Sequence, residues 1–175
     1  IGSNNVWDFE VVVVKRTPCR VETFDCTVGP TAHPPVAWSR RIQLHRICIG
    51  ERSATLGGQE FMAWEDVMRH LGLSAPPVFL KMDVEGFEYG ILEAMVGARR
   101  ELLPLQIALE VHYQTQMSQL SWYRRYISAA EIALFMDRLW RKGGYLLADR
   151  HDNPYCKHCT EVLLVRPRHS SGKVR

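Results

Sequence analysis

The chain has 175 residues, 46% of them apolar and 23% charged, with a formal net charge of +3. This composition suits one globular domain with a sizeable core and excludes a disordered or fibrous chain. Basic residues are scattered until Arg166, so no patch demands nucleic acid, and no apolar run reaches the length of a membrane span.

Taken in order, residues 1–10 (IGSNNVWDFE) start with turn formers and helix N-cap types, which predicts a loop leading into a helix that runs to Arg16. The β-branched run Val11 to Val14 opposes that helix by propensity. After Thr17 and Pro18, residues 19–24 read as a short strand ending at Asp25, and the proline-rich stretch 27–41 reads as a loop. Residues 42–49 (IQLHRICI) alternate as one strand closed by Gly50, and 51–58 read as a loop or weak edge excursion. Phe61, Trp64, Val67, Met68 and Leu71 recur at spacings of three and four, predicting a helix from Phe61 that Gly72 ends.

Residues 78–92, VFLKMDVEGFEYGIL, then carry a buried strand into a turn rich in carboxylates and on into a helix bearing Ile91, Leu92, Met95 and Val96. The next buried strand, residues 105–111, delivers Glu110 and His112 at its end. Residues 114–122 read as a loop or short helix, and Ile132, Phe135, Met136, Leu139 and Trp140 mark an amphipathic helix stopped by Gly143 and Gly144. Residues 145–148 and 161–165 pair as an antiparallel hairpin across the turn-rich segment HDNPYCKHC. Alternation of this kind implies an α/β, doubly wound, mostly parallel sheet with an antiparallel C-terminal hairpin, forming one domain over 1–166 with a basic tail over 167–175.

The five cysteines fit a reduced compartment and are too few for a disulfide scaffold. Cys156 and Cys159 form a C-x-x-C that reads as part of a turn between two strands, with zinc or a disulfide as the alternatives. The chain opens without an initiator Met, and its opening loop and helix imply an apolar strand ending in a glycine-rich turn before Ile1. The cytoplasm is the default compartment, with an upstream anchor or secretory signal left open.

The blocks KMDVEGFE at 81–88, EAMVGA at 93–98, ALEVH at 108–112 and VETFD at 21–25 resemble the FkbM-type branch of the S-adenosylmethionine-dependent methyltransferases. The resemblance spans most of residues 1–166 and rests chiefly on DVEGFE. It implies a Rossmann-like sheet of seven strands, here lacking the first, whose carboxyl ends hold the cofactor beside a glycine loop. It implies that Gly2, Ser3 and Asn4 approach the methionine part of S-adenosylmethionine and that Asp25 accepts hydrogen bonds from the ribose hydroxyls. The implied activity is O-methylation of a small molecule or glycan. The alternatives are an inactive nucleoside-binding or interaction domain and, behind it, an NAD-dependent oxidoreductase.

Methyl transfer needs an acceptor held in line and a base for its proton, and Asp83, Glu85, Glu110 and His112 fall at two adjacent strand ends. Each has a plainer reading. For Asp83 it is a helix cap, with the functional reading favoured because Asp83 ends a central strand, while Glu85 and Glu88 suit the positive end of a helix dipole. His112 reads as a base, as a ligand for a divalent metal with Asp83 and Glu110, or as a hydrogen-bonded rim residue, and no metal site is assigned from sequence. Trp7 and Phe9 are pocket or core residues, Trp38 and Trp64 are core or adenine-side residues, and His33, His45, His70 and His169 have no visible partner.

Overall fold

The computed structural model describes residues 1–114 and 126–167. Helix α1 (Asp8–Arg16) forms despite its valines: Asp8 and Glu10 lie in its first turn, Lys15 and Arg16 in its last, and Val14 is buried. Strands β1 (Val21–Phe24) and β2 (Ile42–His45) follow and pair in parallel, Val21 opposite Ile42. Ile42 is fully buried against Trp7 and Val14, which makes a small second core.

The single strand expected over residues 42–49 is two. Arg46 donates to the carbonyls of Pro30 (2.9 Å) and Ala32 (2.5 Å) in the preceding loop, and the chain leaves one sheet there for another. Strand β3 (Cys48–Ile49) pairs in parallel with β5 (Gln59–Met62), which also pairs antiparallel with β4 (Ala54–Leu56). The β4–β5 turn is Gly57–Gly58, both at positive φ, the conformation a tight hairpin turn requires. This hairpin claims Phe61 and Met62, so helix α2 is Trp64–His70 and begins three residues later than the spacing predicts.

Strand β6 (Phe79–Met82), helix α3 (Glu88–Gly97), strand β7 (Gln106–His112), helix α4 (Ala129–Arg138), strand β8 (Leu146–His151) and strand β9 (Cys159–Val165) complete the described chain. Ser128 and Glu131 form a capping box at the start of α4, which runs on through a π-helical turn (Leu139–Gly143). The last sheet has the order β6-β7-β9-β8, with β6 and β7 parallel and β9 antiparallel to both neighbours. The expected hairpin is present, and its second strand inserts beside β7. The expected stretch 114–122 lies, apart from Gln114, outside the described residues, as do residues 168–175 of the tail.

The expected continuous sheet is therefore three sheets within a mixed α/β fold. Residues 1 and 2 connect two of them: Gly2 N donates to Phe24 O at the end of β1, and Asp83 N, just past β6, donates to Ile1 O. The large core lies under the last sheet, where Met82, Leu92, Leu103 and Ile107 are fully buried with Trp64 and Phe135. Two disulfides are present: Cys26 is joined to Cys48, a pairing the sequence did not suggest, and Cys156 to Cys159, one of the alternatives for that turn. Among the described residues no helix is long and apolar enough to cross a membrane.

Candidate functional site

The ends of β1, β3 and β6 open onto a cleft of about 850 Å³ lined by residues of the opening loop, α1 and the segment after β6. It falls within the size range of small-molecule and cofactor sites. Gly2, Ser3, Asn4, Asp25, Asp83 and Glu85 all line it. Glu110 and His112 do not; they stand behind Asp83 and Glu85.

At the loop end, Asp25 is buried and holds the opening segment in place. Its Oδ2 accepts from Ser3 N (2.8 Å), Ser3 Oγ (3.1 Å) and Asn4 N (2.8 Å), and its Oδ1 from Thr27 N (2.9 Å) and Thr27 Oγ1 (2.7 Å). Burial alone would raise the Asp25 carboxyl, but the donors from Thr27, Ser3 and Asn4 outweigh it and hold the pKa below its ordinary value. Gly2 has its own reason to be glycine. With φ at +77°, a Cβ there would lie 1.9 Å from the Asp83 carbonyl oxygen, so only glycine lets the loop close on the end of β6.

At the other end, the chain turns from β6 into α3 through Glu85 and Gly86, both at positive φ. A non-glycine residue in that region is uncommon and costs on the order of 1 kcal/mol, so the fold holds the Glu85 carboxylate at this bend against a local penalty. His112 is 3% exposed and is fixed by Glu88, which is fully buried. Glu88 Oε1 accepts from His112 N (2.8 Å) and from Nδ1 (3.2 Å), while its Oε2 accepts from Gly86 N (2.8 Å). A carboxylate can only accept, so Nδ1 carries the proton and Nε2 faces the cleft side. There it lies 3.6 Å from Glu85 Oε2 and 3.9 Å from Asp83 Oδ1, beyond hydrogen-bond reach of either.

Burial lowers the His112 pKa, but the Glu88 bond and charge, with Glu85 and Glu110, more than reverse that and leave it raised. Glu85 is raised chiefly by burial, with His112 opposing. Glu110 is pushed up to about 7, first by burial and then by the charge of Asp83. Besides His112, Lys81 stands near Asp83, its Nζ 3.9 Å from Asp83 Oδ2. Cys159 Sγ lies 2.5 Å from Glu110 Oε1, so the Cys156–Cys159 turn closes the back of this cluster, as the opposition of His112 and Cys159 across β7 and β9 requires.

Sequence reasoning treated Glu88 as a dipole partner and missed its role as the anchor of His112. The signal was available: a carboxylate one turn before Ile91 and Leu92, on the face that α3 buries. Tyr89, whose hydroxyl donates to His112 O at 2.8 Å, was missed as well. Among the aromatic candidates Phe9 lines the cleft, whereas Trp7 and Trp64 are core and the Trp64 Nε1 donates to Leu102 O. His45 and His70 do have partners, since His45 Nε2 pairs with Glu22 at 2.9 Å and the two imidazoles face each other edge-on.

A cleft at strand ends, closed by a glycine loop and walled by strand-terminal carboxylates, defines an α/β ligand-binding domain of the kind that carries chemistry on small molecules. Residues 42–147 match the family model of the methyltransferase FkbM domain. The chain belongs to that family of methyltransferases. The matched region contains Asp83, Glu85, Glu110 and His112, while the loop at Gly2 to Asn4 and Asp25 lie before it. No curated protein matches the chain.

Proposed function

We propose that the protein is an S-adenosylmethionine-dependent methyltransferase that methylates an oxygen of a small molecule or glycan. The observation that carries this reading is the charge of the cleft. Asp8, Glu10, Asp25, Asp83 and Glu85 line it, against Lys81 as the one side-chain cation among the described lining residues. A ligand with a sulfonium and an ammonium group suits that field, whereas the pyrophosphate of NAD would meet repulsion and few free donors.

When bound, S-adenosylmethionine supplies an electrophilic methyl carbon, which an acceptor oxygen takes as it gives up its proton. Gly2 to Asn4 and Asp25 would form the cofactor end, with Asp25 acting first by holding the loop. Its two oxygens already take five hydrogen bonds, so any ribose hydroxyl shares an acceptor that is largely occupied. Apolar Phe24, Ile49 and Phe61 supply a surface for the base. At the acceptor end, Glu85 is the carboxylate placed to receive the proton, because it lines the cleft at the bend into α3 and has His112 Nε2 3.6 Å behind it.

Calorimetry of the chain with S-adenosylhomocysteine and with NAD tests the cofactor assignment. Micromolar binding of the first and none of the second is the expected result, and the reverse preference overturns it. Turnover is tested by single-turnover methyl transfer to a panel of hydroxylated acceptors, sugars included. Glu85→Gln is expected to lower the transfer rate by about 100-fold, in line with removal of a general base, without weakening cofactor binding. Cofactor binding with no transfer to any acceptor would favour a binding domain that has lost turnover.

A further inference from the structure

Behind the cleft wall, the structure leaves one imidazole nitrogen with an unusual set of neighbours. His112 is nine-tenths buried or more, its Nδ1 is spent on Glu88, and its Nε2 has no hydrogen-bond partner among the described residues. That nitrogen lies 3.6 Å from Glu85 Oε2 and 3.9 Å from Oδ1 of Asp83, past the end of β6, and Glu110 stands two residues before His112 on β7. One oxygen each of Asp83 and Glu110 and a ring nitrogen of His112 lie within 4.8 Å of one another.

We infer that Asp83, Glu110 and His112 form a binding site for a divalent cation. The donor set is two carboxylate oxygens and one imidazole nitrogen, which suits a cation of the Mn²⁺ type and leaves coordination positions open toward the cleft. Bonds of roughly 2.1 Å around a six-coordinate ion place donors about 3 Å apart when adjacent and about 4.2 Å when opposite. The observed 3.9 Å between His112 Nε2 and Asp83 Oδ1 needs a side-chain movement of no more than about 1 Å to meet the closer arrangement. The parallel pairing of β6 and β7, with Met82 opposite Leu109, sets these residues on neighbouring strand ends without any loop having to fold over.

Glu88 supports this inference independently of the cluster itself. A ligating histidine characteristically gives its other N–H to a carboxylate, which fixes the ring and its tautomer, and Glu88 does that from a fully buried position. The arrangement also explains why three carboxylates gather where Lys81 is the only side-chain cation of the described cleft lining: an ion would neutralise them. A cation here would sit beside Asp83 at the acceptor end and polarise an acceptor oxygen. That role rests on the methyltransferase reading, whereas the site itself does not.

A second cluster shares Glu110. Its partners are Cys156 and Cys159, which are joined to each other and so offer no thiolate. The two possibilities separate at His112.

The test titrates the full chain, stripped with EDTA and kept in oxidising buffer, with Mn²⁺ and follows the free-ion electron paramagnetic resonance signal. One ion per chain is expected, and electron spin-echo modulation of the wild-type complex should show a directly bound imidazole nitrogen. His112→Ala and Asp83→Asn should each weaken binding at least tenfold, and Glu88→Gln by about tenfold, as loss of a carboxylate behind a ligating histidine does. The double variant Cys156→Ser/Cys159→Ser should stay within about twofold of wild type, because the disulfide contributes no ligand. No binding at millimolar Mn²⁺, a bound ion without nitrogen modulation, or loss in the cysteine variant with retention in His112→Ala would each overturn the inference. The wild-type spectrum decides the matter even where a variant fails to fold. S-adenosylhomocysteine binding without Mn²⁺ binding would sink this site and leave the methyltransferase reading standing, and the converse result would do the opposite.

Discussion

At the loop end of the cleft, Asp25 is buried with donors on both oxygens, supplied by Ser3, Asn4 and Thr27. At the acceptor end, Asp83, Glu85 and Glu110 crowd round one histidine, with Lys81 Nζ 3.9 Å from Asp83. The first arrangement lowers a carboxyl pKa and the second raises two. Satisfied donors and acceptors mark a part built to hold the fold, and unsatisfied like charge marks a part kept for a ligand. Glu88 belongs to the first kind although it sits at the second end, and it makes that end buildable.

The largest effect should come from removing that exception. Glu88→Ala leaves His112 N, Gly86 N and a buried imidazole N–H without their acceptor. Breaking a buried, hydrogen-bonded pair of this kind costs on the order of 3–5 kcal/mol, to be read from urea denaturation. A loss below about 1 kcal/mol would show that Glu88 does not anchor the acceptor end.

Next comes the Cys26–Cys48 bond, which ties the segment after Asp25 to β3 across a separation of 22 residues. Loop-closure entropy for a ring of that size predicts that Cys26→Ala/Cys48→Ala lowers stability by about 3 kcal/mol in oxidising buffer. Since both cysteines line the cleft, S-adenosylhomocysteine affinity should fall with it. Unchanged stability between oxidised and reduced wild type would remove the bond from the account of the loop end.

Asp25 ranks third. Asp25→Ala strands the Ser3, Asn4 and Thr27 donors and should cost on the order of 2–3 kcal/mol, with loss of cofactor binding because the loop is released. The pH dependence follows from the lowered pKa. As pH falls, the unfolded chain binds this proton first, so the contribution of Asp25 is complete above the unfolded value, near 3.8, and is lost as pH falls through the lower folded value. Wild type should therefore lose stability more steeply than Asp25→Asn below about pH 4, as followed by denaturation at several acidic pH values.

Much of this was legible in the sequence where apolar spacing controls the outcome. Strands β6 and β7, helices α1, α3 and α4 and the terminal hairpin fall close to where their patterns put them. Residues 42–49 failed because alternation cannot register Arg46, whose guanidinium reaches back to the loop carbonyls and diverts the strand. Phe61 satisfied the helical spacing, yet the Gly57–Gly58 turn upstream had already committed it to a hairpin. For the site, strand ends located Asp83, Glu85, Glu110 and His112, but spacing gives no direction to a side chain. It therefore could not separate Glu88 from Glu85, or show that Asp25 spends its oxygens on its own loop. The Cys26–Cys48 pairing was illegible because the two cysteines meet only once two sheets are in place, whereas the C-x-x-C spacing did offer Cys156–Cys159.

The smallest stability change should come from Asp83→Asn, and its sign is the sharper test of the comparison. With EDTA present, the substitution removes one of the charges crowded between Glu85 and Glu110 and gives up two contacts of 3.9 Å, with Lys81 and with His112 Nε2. The substitution should leave stability within about 1 kcal/mol of wild type or raise it, because relief of like-charge repulsion offsets an exposed ion pair that is itself worth little. Methyl transfer should nevertheless fall at least tenfold while S-adenosylhomocysteine binding persists. That combination, a tolerated fold with impaired transfer, is what an end of the cleft kept for its ligand requires. If Asp83→Asn instead destabilises the protein as Asp25→Ala does, then Asp83 is a structural carboxylate, and the difference drawn between the two ends of the cleft disappears.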